Sequence, residues 1–99
     1  MSKDAIQIEH EEADGRGAFF LEREGIRLAE MTYSRAGENL VIIDHTFTDE
    51  QLRGLGVARK LLDTAVAWAR ATHTRVRATC PYALAQFQKD ASIGDVFEA

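Results

Sequence analysis

The sequence predicts an α/β fold with a mixed sheet: an antiparallel meander of about four strands, a glycine loop, a crossover helix, a parallel fifth strand and a short C-terminal helix. Three observations lead there. Short apolar or alternating runs between residues 6 and 47 are separated by turn pairs. The apolar period then changes to that of a helix over residues 58–72. A last extended run, Arg75-Val76-Arg77-Ala78-Thr79-Cys80, returns after the helix and stops at Pro81.

Each element has its own justification. Ile6-Gln7-Ile8-Glu9 alternates and is expected as the first strand. His10 to Gly17 is a polar turn holding the hairpin pair Asp14-Gly15, and Ala18 to Arg23 is the second strand. Glu24-Gly25 turns the chain into a third strand, Ile26 to Ser34, on which Ala29, Met31 and Tyr33 share one face. After the turn Arg35-Ala36-Gly37-Glu38 comes Asn39 to Phe47. Its aliphatic run Leu40-Val41-Ile42-Ile43 is expected to be buried on both faces as an interior strand. Ala58, Leu61, Leu62, Ala65, Ala69 and Thr72, widened by Val66 and Trp68, form the apolar stripe of a helix from about Gly56 to about Ala71. Strand, helix and strand in this order make a right-handed crossover, so the fifth strand is expected parallel to the fourth. Ala83 to Asp90 is a short amphipathic helix packing Leu84 and Phe87. The tail 91–99 carries Ile93, Val96 and Phe97, apolar enough to dock on the core or on a partner.

Composition narrows the functional classes. Ninety-nine residues suit one domain, residues 1–99, with a single core. At 45% hydrophobic and 28% charged it has an ordinary globular composition. No run approaches the roughly 20 apolar residues of a membrane span, and Met1 to His10 lacks the order of a secretory signal, so a cytoplasmic protein without a membrane partner is expected. A single cysteine, Cys80, offers neither a disulfide nor a C-x-x-C spacing, and His10, His45 and His73 share no ligand spacing, so no metal site is expected. From Gln51 to Arg77 six basic residues face Asp63 alone, a local balance of +5, whereas the remainder holds six basic and fifteen acidic residues. An acidic chain with one basic segment fits an anionic cofactor better than nucleic acid, and the acidic remainder suits a cationic amine.

The basic segment opens on Thr48-Asp49-Glu50-Gln51-Leu52-Arg53-Gly54-Leu55-Gly56-Val57-Ala58-Arg59. Gly54, Gly56 and Ala58 leave little side chain over the first helical turn, so backbone N–H groups can approach a ligand. With the helix dipole behind them and Arg53, Arg59 and Lys60 around them, these groups suit a phosphate or pyrophosphate. The phosphate loop GxxxxGK[ST] is absent, and GxGxxG fails where Arg59 stands in place of its last glycine.

What remains, Arg53-x-x-Gly56-x-Ala58, resembles the [Arg/Gln]-x-x-Gly-x-[Gly/Ala] pyrophosphate loop of the GNAT N-acetyltransferase superfamily. Together with His45-Thr46 and Thr79-Cys80-x-Tyr82, it is similar to the minimal acetyltransferase-like members, from the third strand to Phe87. The resemblance implies a GNAT-type sheet whose fourth and fifth strands splay, acetyl-coenzyme A as cofactor and an amine, small molecule or protein, as acceptor. The backbone of Phe47 and Thr48 would then hold the pantetheine arm. The loop formed by Arg53, Gly54, Leu55, Gly56, Val57, Ala58 and Arg59 would receive the pyrophosphate.

Acyl transfer needs a deprotonated amine, a stabilised oxyanion and a protonated leaving thiolate. Cys80, at a strand end near the implied thioester, is either a nucleophile or a small buried hydrophobe. His45 is either a base or a hydrogen-bonded histidine on the same strand face as Val41 and Ile43. Tyr82 either donates a proton to the thiolate or packs at the mouth. Two departures from larger members stand out: only a turn replaces the helices between their first two strands, and Phe87 stands where they tend to have a tyrosine acid. The reading is an acetyl-coenzyme A-dependent N-acetyltransferase, with a non-catalytic acyl-coenzyme A binding module as the alternative. Nothing in the pattern fixes an oligomeric state.

Overall fold

A computed structural model describes residues 6–99. Five strands, β1 (Glu9–Ala13), β2 (Arg16–Arg23), β3 (Ile26–Arg35), β4 (Leu40–Thr48) and β5 (Arg75–Ala78), lie in one sheet in sequence order. The first four pair antiparallel, and β5 joins β4 in parallel. Helix α1 (Val57–Thr72) makes the crossover, and α2 (Pro81–Lys89) follows β5. The expected mixed sheet is therefore the observed one.

The first hairpin corrects the expected boundaries. Asp14 and Gly15 both have positive φ, 56° and 79°, forming the two-residue turn their identities call for. The strands flank that pair directly, so β1 runs Glu9–Ala13 rather than Ile6–Glu9, with Glu9 opposite Phe20 and Ala13 opposite Arg16. All five β1 residues are exposed. A charged edge strand blunts edge-to-edge pairing and has no apolar alternation to betray it.

One face of the sheet carries the core. Phe19, Met31, Tyr33, Val41 and Ile43 pack under α1, which buries Val57, Leu61, Leu62, Ala65, Val66 and Ala69. Fully burying each large aliphatic side chain is worth about 1.5–3 kcal/mol. The α1 stripe explains why the helix crosses this face. It ends at His73 (φ 56°), with Thr74 N–H donating to the Ala69 carbonyl at 2.8 Å in a Schellman closure. The second face of β4 is not sealed: Val41 and Ile43 are buried, but Leu40 and Ile42 are only half-buried. Pro81 does more than end a strand. It supplies the first residue of α2, where a missing N–H costs nothing. The helix thus starts two residues earlier than expected and buries Ala83 and Phe87, while Leu84 stays half-buried. The tail docks on the core: Ile93 and Val96 are buried, Phe97 stacks on Phe87 at 4.6 Å, and Val76 bridges Phe97 in parallel.

A polar knot closes the core at the Arg35 end of β3. Tyr33 Oη donates to Glu12 at 2.6 Å and accepts from His10 Nε2 at 2.7 Å, while Arg35 Nε holds Glu12 at 2.8 Å. The His10 ring stacks on Phe19 at 4.2 Å and meets Trp68 edge-on at 5.1 Å. Partial desolvation of the ring against these aromatics lowers the His10 pKa, outweighing the attraction of Glu12. Gly17 lies against the Tyr33 ring so closely that a Cβ would overlap it.

Two outcomes follow from this knot. Gly17→Ala is expected to cost about 1–3 kcal/mol in urea unfolding through overpacking, and an unchanged midpoint would contradict the close approach. Because folding favours neutral His10, its contribution is complete above the ordinary value near 6.5 and is lost as pH falls below it. The melting temperature should therefore decline on acidification from pH 7, more in the native chain than in His10→Gln. Parallel profiles would remove His10 from the account.

Candidate functional site at the strand fork

β4 stays paired with β3 as far as Thr48, opposite Ala29, but its pairing with β5 ends at Ile43 opposite Ala78. The last rung is one carbonyl: Ile43 O accepts from Thr79 N–H at 2.9 Å and from Cys80 N–H at 3.1 Å. Pro81 has no N–H to continue the ladder and turns the chain into α2. Among the described residues Asp44 to Thr48 therefore has no strand on its β5 side, an open edge able to bond an extended ligand as a strand would.

A β-bulge decides which side chains face this fork. Tyr33 pairs with Ile43 and Thr32 with His45, so Asp44 is the extra residue. Asp44 turns to the face away from α1, accepting from Thr32 Oγ1 at 2.5 Å and from Ser34 and Arg16. These donors hold its carboxyl below the ordinary value despite burial. Beyond the bulge the alternation is reversed. His45 shares the open face with Thr32, not the face of Val41 and Ile43 as expected, and it is exposed. Thr46 faces the core instead, its Oγ1 3.1 Å from Cys80 Sγ. Cys80 is 3% exposed. Phe47 follows His45's side of the pleat only in pairing with Glu30, and is 43% exposed on the open face.

The glycine loop lies at the same end of β4. Asp49 caps a single 3-10 turn, Glu50–Leu52, by accepting from Gln51 N–H at 3.0 Å, and Leu52 anchors it at 2% exposure. Gly54 (φ 84°) and Gly56 (φ 70°) take left-handed conformations, and a Cβ on either would meet nothing within 4 Å. Leu55, between them, stands 52% exposed. The first α1 hydrogen bond runs from Lys60 N–H to Gly56 O at 3.1 Å, so the N–H groups of Val57, Ala58 and Arg59 precede the helix's own ladder.

Thr48, Arg53, Gly54, Gly56, Val57, Ala58, Arg59 and Tyr82 line one concavity of about 210 Å³. Tyr82 is half-buried there, and burial raises its pKa. Of the residues singled out in the sequence, the loop and Tyr82 thus meet, Cys80 lies on the same side of the fork, and His45 and the Phe47 side chain lie across the sheet. Arg59 is not a free cation: its guanidinium bonds Asp63, Gln86 and Asp90. Arg53 and Lys60 are the exposed cations flanking the loop. Thr46 was not anticipated as a partner of Cys80; Asp44 within an apolar run was its only trace. Among the described residues no group of His, Cys, Asp and Glu is arranged to hold a metal, and no helix is long and apolar enough to cross a membrane.

Residues 18–96 match the model of a GCN5-related N-acetyl-transferase family. A GCN5-like protein from Staphylococcus aureus, solved by NMR, is 31% identical with a TM-score of 0.74, covering 97% of this chain and 91% of that one. Ribosomal-protein-alanine N-acetyltransferase from Brucella melitensis (15% identity, TM-score 0.63) shares the fold over 78% of this chain and 64% of its own. The aminoglycoside N-acetyltransferase AAC(6')-Iy in complex with CoA (20%, 0.54) does so over 88% and 62%. The chain thus spans less than two thirds of the length of these two enzymes. No curated protein matches it in sequence.

The loop geometry makes its own demand. Gly56→Ala is expected to cost about 1–2 kcal/mol in chemical unfolding, since the strain is the left-handed backbone alone. Gly56→Asn should cost less. Equal and larger losses for both would point to a side-chain clash the loop does not contain.

Proposed function

The chain belongs to the GCN5-related N-acetyltransferase family, and we propose that it binds acetyl-coenzyme A at the glycine loop and transfers the acetyl group to an amine. The loop carries this reading: two left-handed glycines and a bare helix N-terminus beside an unpaired strand edge are a cradle that a pyrophosphate and an extended amide arm fill together. Arg53 and Lys60 add charge, and Thr48 and Phe47 offer backbone. The CoA bound to the structurally similar aminoglycoside enzyme supports the same ligand class here. When bound, the coenzyme supplies a thioester carbon open to nucleophiles.

The chain's own groups divide the remaining work. The Cys80 thiol, oriented by Thr46, serves as nucleophile: its sulfur would take the acetyl group as the thioester C–S bond breaks, and its proton would replace the one that Tyr82 gives up. Tyr82, kept protonated by burial, donates a proton to the departing thiolate. The amine then takes the acetyl group from Cys80 and returns a proton to its sulfur, while His45, exposed on the opposite face of the sheet, has no part in this step. The open fork suits an exposed lysine, an N-terminal amine or a small polyamine as acceptor. Residues 1–99 act as one domain in this proposal, in a soluble cytoplasmic protein. The deep burial of Cys80 favours a second reading, a non-catalytic acyl-coenzyme A binding module.

Turnover separates the two. Gly56→Glu is expected to abolish coenzyme binding by setting a carboxylate among the phosphates. Cys80→Ala should bind acetyl-coenzyme A with unchanged affinity and lose acetylation of an amine panel by roughly 10²-fold or more. Full activity of Cys80→Ala would reduce the cysteine to packing, and absence of turnover in the unaltered chain despite tight binding would select the binding module.

A further inference from the structure

The Arg59 side chain does not aim its charge at the glycine loop. Nε bonds Asp63 Oδ1 at 2.8 Å, one terminal nitrogen bonds Gln86 Oε1 at 2.8 Å, and the other bonds Asp90. Asp63 lies one turn along α1, whereas Gln86 is near the end of α2 and Asp90 caps it. Two carboxylates more than offset one guanidinium, so this cluster offers no net positive charge to a phosphate, in contrast to the exposed Arg53 and Lys60 beside it. The Ser92 hydroxyl first, and then the Arg59 guanidinium, hold the Asp90 carboxyl down to about 2.

Asp90 has a second task. Its other oxygen accepts from Ser92 N–H at 2.9 Å and Ser92 Oγ at 2.6 Å, starting the turn Ala91–Ile93. From there the tail buries Ile93 and Val96 and bonds β5, Val76 N–H donating to Val96 O at 2.8 Å. Arg59 itself is the third residue of α1, on the rim of the loop concavity that Tyr82 of α2 also lines. One side chain thus joins the loop helix, α2 and the tail across 27 and 31 residues of sequence.

We propose that Arg59 is a positioning residue, a brace that couples the glycine loop to the docked C-terminal segment, and that its guanidinium is not a phosphate ligand. The proposal rests on the loop being the coenzyme site. Linkage then follows: if an occupied loop steadies the brace, a docked tail strengthens coenzyme binding by the same factor.

Asp90→Asn tests this by sign. Were Arg59 a phosphate cation, removing a neighbouring carboxylate would free positive charge and tighten coenzyme A binding. A brace is expected to give the reverse, a Kd weaker by about fivefold or more at a temperature where circular dichroism is unchanged. Arg59→Gln should weaken binding similarly, the double variant no more than either single one, and Asp90→Glu should recover part of the loss. Tighter binding by Asp90→Asn, or additive losses in the double variant, would overturn the brace. A ligand-free arm keeps the test independent of the coenzyme: amide exchange in Asp90→Asn should speed up both in the tail and at Leu55 and Lys60, whose N–H groups hold the loop. Faster exchange in the tail alone would also overturn it. Failure of the unaltered chain to bind coenzyme A would overturn the coenzyme reading while the exchange arm still decides the coupling.

Discussion

The Ile43 carbonyl is where the sheet stops being a sheet. It takes the N–H groups of Thr79 and Cys80, the two residues that follow β5, and beyond them Pro81 gives none. An interior strand normally has both edges satisfied, because an unpaired buried N–H or carbonyl costs free energy comparable to a lost hydrogen bond. Asp44 to Thr48 has only one edge satisfied by a strand. Such an opening survives beside solvent and is useful where an extended ligand completes it. The bulge at Asp44 sits at this point and supplies the change of side-chain direction that brings Thr46 to Cys80.

The other half of the site comes from how α1 begins. Its first turn is preceded by two left-handed glycines that fold the chain back from β4 without placing side chains over the N–H groups. Leu52 ties that turn to the core on one side, and the amphipathic stripe of α1 ties it on the other. The loop is thus tied to the core at both ends although its tip is exposed, and backbone donors fixed in advance would suit the phosphate cradle proposed for it. Positive charge near it comes from Arg53 and Lys60, while Arg59 is absorbed into the frame.

Where sequence and structure agree, the signals are local. Asp14-Gly15 and Glu24-Gly25 turn the chain by left-handed backbone at both residues, and the stripe from Ala58 to Thr72 could only be a helix against a core. The crossover and the parallel fifth strand follow from handedness once those elements are placed. The disagreements have nonlocal causes. β1 is polar but for Ala13 because it is an exposed edge, so alternation points upstream to Ile6 and Ile8, whose half-buried side chains pack on the core without joining the sheet. His45 was assigned to the wrong face because a period of two cannot anticipate one extra residue. The partners of Arg59 lie on α2 and beyond, invisible to any local count of charge. The glycine loop and Tyr82 were legible because their positions depend on a short motif; the Thr46 to Cys80 contact was not, because it depends on the bulge.

The most direct measurement is an amide chemical-shift map of the isotope-labelled protein titrated with coenzyme A. The largest changes are expected at Gly54 to Arg59 and at Asp44 to Thr48, the two backbone segments that face the fork, saturating together with one affinity. Changes confined to other surfaces, or none at saturating coenzyme, would contradict the coenzyme reading: the glycines would then be a tight connection between strand and helix, and the open edge of β4 would belong to a different ligand.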